Sequence, residues 1–150
     1  MSFFLEKDID KILINIKNIS KYFSGKRILI TGGNGFLGKY FVEVFRRYNN
    51  KINKPINLTV FDKNIDKTFK DKNISFIKKD VYKKIYSNKK FNIIIHAAGI
   101  ASPFYYRKEP LETIDVTIQG IKNCLELAKK NKAKLIYFST SEIYGDPDSK

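Results

Sequence analysis

The chain has 150 residues, 43% of them hydrophobic, and 29 Lys+Arg against 15 Asp+Glu give a formal net charge of +14. That length fits one domain with a real core, and that hydrophobic content does not suggest disorder. The lysines are spread along the chain among many Asn and Ile, with no binding motif or aromatic-basic array, so no nucleic-acid partner is expected.

A single cysteine excludes an internal disulfide and fits a reducing compartment. His96 lacks the cysteine partners of a metal site, and no metal is expected. No run approaches the roughly 18 apolar residues of a membrane span. Phe3-Phe4-Leu5 is followed by Glu6, Asp8 and Asp10 rather than by the core of a signal peptide. The expected location is cytoplasmic, with no membrane partner.

Phe4 to Phe23 carries Ile9, Ile12, Leu13, Ile16, Ile19 and Phe23 at steps of three and four, which predicts an amphipathic helix ended by Ser24-Gly25. Its apolar stripe suits packing on the domain C-terminal to it; docking to a partner is the alternative. Arg27 to Thr31 is a short apolar run of β-formers, a buried strand. Gly32, Gly35 and Gly38 come next, and then Phe41, Val42 and Phe45 at helical spacing lead into a helix that runs to about Asn49. A glycine-rich strand-to-helix turn offers bare backbone N–H groups at a positive helix end, where a pyrophosphate can sit. Three glycines alone also fit a flexible turn.

Asn49 to Pro55 reads as a polar loop and Asn57 to Phe61 as a second strand, ending at Asp62. An acid at that distance from the glycines can accept hydrogen bonds from both ribose hydroxyls of an adenosine and would repel a 2′-phosphate. The alternative is a solvated loop aspartate, and Lys63 beside it leaves room for NADP. Asn64 to Asn73 is charged and turn-like, Ile74 to Ile77 is a third strand, and Asp80-Val81 closes it. Phe91 to Ile95 is a fourth strand running into His96-Ala97-Ala98-Gly99, small residues that leave room for a flat cofactor. Pro110 to Asn131 predicts a helix with Leu111, Ile114, Ile118, Ile121, Leu125 and Ala128 as its stripe, beside which Cys124 belongs to the core. Leu135 to Phe138 is a fifth strand that delivers Ser139-Thr140-Ser141-Glu142. The alternation predicts an α/β fold, a Rossmann-like doubly wound parallel sheet with helices on both faces, preceded by the amphipathic helix. Residues 1–25 form that helix and 26–150 the NAD-binding domain.

T-G-G-N-G-F-L-G at 31–38, the acid at 62, D-V at 80–81, H-A-A-G at 96–99 and S-T-S-E-I-Y-G-D-P at 139–147 stand in the order found in the extended short-chain dehydrogenase/reductase family. The sequence resembles the NAD-dependent epimerases and dehydratases of nucleotide sugars over Lys26 to Pro147. The resemblance implies NAD as cofactor, a nucleotide-sugar substrate (UDP-sugar favoured) and a homodimer as the candidate assembly. It implies that Gly32, Gly35, Phe36, Leu37 and Gly38 hold the pyrophosphate, Asp62 the ribose, and Asp80 and Val81 the adenine. Ala97, Ala98 and Gly99 would line the cofactor, and Thr117 would stand where the family has an Asn near the nicotinamide. Thr140 would be the catalytic hydroxyl and Glu142 an auxiliary acid or base.

Within the family, A-S-P-F-Y-Y at 101–106 with S-T-S-E is most similar to the UDP-glucuronate decarboxylase branch, a lyase acting through a 4-keto intermediate. Dehydratases usually place an Asp-Glu pair after the Thr, where Ser141 stands here. A 4,6-dehydratase or 4-epimerase remains the alternative, and a non-catalytic NAD-binding or interaction module is the alternative of another class. No Tyr-x-x-x-Lys pair comes after Thr140, and the C-terminal substrate domain of the family is absent from these 150 residues. Residues 1–150 alone are therefore expected to be inactive.

Overall fold

The computed structural model describes residues 6–17, 20–65 and 70–145. Five strands form one parallel sheet: β1 (Arg27–Thr31), β2 (Asn57–Asp62), β3 (Ile74–Lys78), β4 (Ile93–His96) and β5 (Lys134–Tyr137), in the order β3-β2-β1-β4-β5. Four α-helices accompany them among the described residues: α1 (Glu6–Asn15), α2 (Phe36–Asn49), α3 (Pro103–Lys108) and α4 (Pro110–Asn131). The chain steps outward from β1 to β3 and then crosses back to β4 on the other side of β1. This reversal makes the β1/β4 junction a topological switch point, where the loops at the strand ends part and leave a crevice.

Side-chain alternation along β1 builds both layers. Ile28 and Ile30 join Leu58, Val60, Ile93 and Ile95 against Val42 and Phe45 of α2. Leu29 points the other way, with Phe61 and Ile94, onto Cys124, Leu127 and Ala128 of α4. Each such fully buried aliphatic side chain stabilises the fold by about 1.5–3 kcal/mol. The register pairs Thr31 with both Phe61 and His96, so β1, β2 and β4 end level and deliver their loops to one rim.

Three expectations need correction. The helix expected over 4–23 is shorter: α1 ends at Asn15, Ile16 and Lys17 form a turn, and Ser20–Tyr22 is a short 3-10 turn. The rest of that span, residues 4, 5, 18 and 19, lies outside the described residues. Ile14 is 71% exposed, so by its last turn α1 no longer buries every apolar side chain of the stripe. The first turns do pack: Ile9 is fully buried, Glu6 pairs with Arg47 of α2 at 2.7 Å, and Tyr40 Oη donates to Asp8 at 3.4 Å.

The inward face of α4 also differs. Leu111, Ile114, Ile118 and Leu125 are exposed, and Val116, Gly120, Asn123, Cys124, Leu127 and Ala128 face the sheet. Small residues at 120 and 124 let the helix come close, which outweighs the larger apolar side chains on its other face. A Cβ on Gly120 would stand 3.2 Å from Val81 Cγ2 and 3.4 Å from the His96 ring. The third correction is α3, an additional helix that the sequence did not signal. Its apolar residues Phe104, Tyr105 and Tyr106 are exposed, so no inward stripe marks it. Cys124 is buried as expected, and burial pushes its thiol up to about 12.

On α2, the buried Glu43 carboxylate accepts two hydrogen bonds from Arg46 at 2.7 Å and one from Arg47 at 2.6 Å. The Arg46 hydrogen bond is the main cause holding its carboxyl below the ordinary 4.5, against the opposing effect of burial. A depressed folded-state value gives stability that is complete above 4.5 and lost as pH falls through the folded value. Glu43→Gln should therefore lower the urea midpoint at neutral pH and flatten its fall on acidification. An acid limb as steep as in the wild type would contradict this account of the cluster.

Candidate functional site

The glycine turn is built by close backbone contact. Gly32 has φ +75°, which other residues adopt only with strain, and a Cβ there would stand 2.7 Å from Ala98 Cα and N. Its N–H donates to Phe61 O at 2.8 Å, and Gly35 N–H donates back to Gly32 O at 3.0 Å. Gly38 is buried beneath the turn, where a Cβ would meet Gly33 Cα at 2.6 Å. With Gly35 as N-cap, α2 begins at this turn, and the positive end of its dipole lies there.

A cleft of about 340 Å3 opens above this turn. Among the residues read from the sequence, Gly32, Gly35, Asp62, Asp80, Val81, Ala97, Ala98 and Gly99 line it, joined by Asn34, Lys63, Asn64, Lys79, Ile100 and Val116. A larger apolar groove of about 630 Å3 lies between α1 and α2, and the Phe36 and Leu37 side chains line that groove instead. The smaller cleft is the stronger candidate for a polar ligand because carboxylates, lysines and a helix N-terminus converge on it. Gly38 contributes from below, through packing. Thr117, on exposed surface of α4, donates its hydroxyl to Thr113 O at 2.7 Å and does not line the cleft.

Asp62 ties the rim together. Its Oδ2 accepts the Asn34 N–H at 2.9 Å and its Oδ1 accepts the Asn64 N–H at 3.0 Å. The Asn34 side-chain amide also donates to Asn64 O. A carboxylate has about four acceptor directions, so two remain for ligand hydroxyls. On the other wall, Thr31 Oγ1 lies 2.6 Å from His96 Nδ1 and accepts the Ala98 N–H at 3.4 Å. His96 is buried, which lowers its pKa and keeps the ring neutral at neutral pH. Its ring stacks on Tyr137 at 5.3 Å, and its Nε2 has no hydrogen-bond partner among the described residues. The small Ala97-Ala98-Gly99 floor, the acid at Asp62 and the helix N-terminus together fit a dinucleotide lying across the sheet rim.

Thr140 lies on exposed chain just beyond β5, and Ser141–Tyr144 forms a 3-10 turn that includes the Glu142 backbone. The cleft does not extend to this segment. Tyr-x-x-x-Lys spacings occur at Tyr22–Lys26 and Tyr86–Lys90, and neither pair lines the cleft.

The sequence reading missed Asn34, Thr31 and Asn123. Asn123 is buried on α4, and its amide nitrogen lies 2.7 Å from Val81 O, 3.2 Å from Tyr82 O and 3.1 Å from Lys83 O. A polar residue within an inward helix face was the available signal. Asn123→Ala should destabilise the fold by about 1–3 kcal/mol, because the Val81 carbonyl loses its partner inside the protein. It should also weaken nucleotide binding more than Leu127→Ala, which opens the core away from the cleft. Equal effects of the two changes on binding would remove Asn123 from any role in holding the Asp80-Val81 wall.

Comparison with known proteins agrees with this geometry. The model of the NAD dependent epimerase/dehydratase family matches residues 28–150. UDP-glucuronic acid decarboxylase 6 of Arabidopsis thaliana is 36% identical over 131 residues, covering 85% of this chain and 38% of that protein. UDP-glucuronic acid decarboxylase 1 of Danio rerio is 36% identical over 124 residues, 82% of this chain and 29% of that protein. The chain thus spans well under half the length of these relatives. The structure of an epimerase from Methanothermobacter thermautotrophicus shares the fold, with a TM-score of 0.69, 21% identity, and coverage of 90% of this chain and 41% of that one. The chain is a member of the NAD dependent epimerase/dehydratase family, and NAD is its cofactor.

Proposed function

We propose that the protein is a cytoplasmic enzyme that decarboxylates UDP-glucuronate, with residues 26–150 as its cofactor-binding domain. The observation that carries this reading is the rim cleft of a family member whose sequence is 36% identical to UDP-glucuronic acid decarboxylases. NAD, when bound, supplies the hydride acceptor and later the donor at sugar carbon 4. In the proposed arrangement the glycine turn from Gly32 to Gly38, at the N-terminus of α2, holds the pyrophosphate, Asp62 the ribose hydroxyls, and Asp80 and Val81 the adenine. Ala97, Ala98 and Gly99 would let the cofactor approach the backbone, and Thr117 would serve where the family has an Asn. Thr140 orients the sugar 4-hydroxyl and steadies the oxyanion that forms there, with Glu142 as auxiliary acid or base.

Oxidation at carbon 4 leaves a ketone β to the carboxylate. The C5–C6 bond then breaks, carbon dioxide leaves, and the electron pair passes onto the ketone oxygen as an enolate. Protonation at carbon 5 and reduction at carbon 4 would then give a UDP-pentose. A threonine hydroxyl is too weak a base to take the 4-hydroxyl proton, and no Tyr-x-x-x-Lys comes after Thr140 within these residues. General base catalysis typically contributes about 10²–10⁴-fold. A 4-epimerase or 4,6-dehydratase shares the first oxidation, and the epimerase fold neighbour favours keeping that second reading. Ser141 counts against the dehydratase, whose elimination of water needs an acid beside the base.

Incubation of UDP-glucuronate and NAD+ with a form extended to the length of its relatives should release carbon dioxide, and residues 1–150 alone should release none. Turnover of another nucleotide sugar without carbon dioxide would move the assignment to an epimerase or dehydratase. Rapid release by residues 1–150 would contradict the reading that these residues lack the base. Stable capture of a protein partner, with no turnover by either form, would favour a non-catalytic module. Asp62→Ala should weaken NAD+ binding by about 1.5–3 kcal/mol, the range of a charge-assisted hydrogen bond. An unchanged Kd would exclude Asp62 as the ribose acid.

A further inference from the structure

At the Asp62 end of the cleft two depressions meet. A second hollow of about 480 Å3 continues outward, lined by Lys63, Lys78, Lys79, Lys83 and Lys84 around Asp80. Lys63, Lys79 and Asp80 belong to both. So basic a surface would accommodate a phosphate on the ribose 2′ position as readily as two bare hydroxyls, and lysine is a competent phosphate ligand. Five lysines stand there with Asp80, and yet the cofactor is NAD.

The two lysines that line the cleft itself are both engaged elsewhere. Lys79 Nζ donates to Tyr86 O at 2.7 Å and stands 5.5 Å from the centre of the Phe61 ring. Lys63, next to Asp62, donates to Glu112 Oε1 at 3.0 Å and lies 3.5 Å from Asp80 Oδ2. Glu112 belongs to the first turn of α4, 49 residues away, so this contact ties the segment after β2 to α4 beside the cleft. The Glu112 hydrogen bond is also the main cause that raises the Lys63 pKa, so the ammonium stays charged.

We propose that Glu112 is a selectivity-determining residue, holding the Lys63 ammonium on α4 and off the ribose 2′ position so that the cleft prefers NAD to NADP. The inference rests on the reading of this cleft as the dinucleotide site. Asp62 repels a 2′-phosphate directly, and the Glu112–Lys63 pair withholds the cation that would otherwise offset that repulsion. Lys63 and Glu112 are both about half exposed, so the pair is weak and screened by salt, and its effect is graded.

Calorimetric titration of the 150-residue chain with NAD+ and NADP+ at low ionic strength tests this, comparing wild type, Glu112→Gln, Lys63→Ala and the double variant. Glu112→Gln should tighten NADP+ about two- to five-fold and leave NAD+ unchanged. The gain should vanish in the double variant and shrink with added salt. An unmoved NADP+/NAD+ ratio in Glu112→Gln, with NAD+ bound as in wild type, would overturn this inference alone. A gain that survives in the double variant, or that NAD+ shares, would also overturn it, since loss of one negative charge would then explain the change. Binding of neither nucleotide by the wild type would overturn the reading of the cleft, and this inference with it.

Discussion

The contact between the Gly32 backbone and the Ala97–Ala98 backbone is the constraint on which the rest of the site depends. With 2.7 Å between an added Cβ and Ala98, no side chain fits there without moving β1 from the loop after β4. The contact sits at the switch point of the sheet, where adjacent loops would otherwise diverge. It brings a helix N-terminus and a floor of small residues to one rim. Gly38 completes it from below, so that α2 packs directly on the turn it caps. The tight turn and the close packing of α2 on it are thus met by the same three glycines.

Around this contact, short polar clasps fix loops that have little apolar burial of their own. Asp62 holds the glycine turn through Asn34, Thr31 holds the loop after β4 through Ala98, and Asn123 holds the loop after β3. Each joins segments distant in sequence, from 28 to 67 residues apart. Buried or half-buried hydrogen bonds of this kind add modest net stability, but leaving one partner alone is expensive, so they select one arrangement of the rim. The neutral His96 extends the Thr31 clasp into the core, between β1 and the close-packed Gly120 of α4.

Much of this architecture was legible in the residues. Strand runs rich in Ile and Val, three glycines at even spacing and an acid at the end of the second strand carry their meaning locally, because each depends on backbone geometry over a few residues. The inward face of α4 was not legible. Leu111, Ile114, Ile118 and Leu125 make the stronger apolar stripe, but Gly120 and Cys124 permit close approach to the sheet and decide the orientation. Close packing selects for small residues that hydropathy undervalues. α1 stops at Asn15 although the apolar steps of its stripe run on to Phe23, and α3 buries no residue, so no inward stripe marked it. Phe36 and Leu37 lie in the glycine turn motif, yet their side chains turn to α1; a backbone role and a side-chain environment separate at a helix N-terminus.

The Asp62 clasp, the glycine turn and the small-residue floor amount to one claim, that NAD lies across the rim of β1, β2 and β4. Titration of the isotopically labelled chain with NAD+, monitored through its backbone amide resonances, tests that claim most directly. Saturable shifts should concentrate at Gly32 to Gly38, Asp62, Asp80-Val81 and Ala97 to Gly99, with Ile12 and Val44 in the α1–α2 groove unmoved. Shifts centred on that groove, or none at nucleotide concentrations that saturate other members of the family, would contradict it.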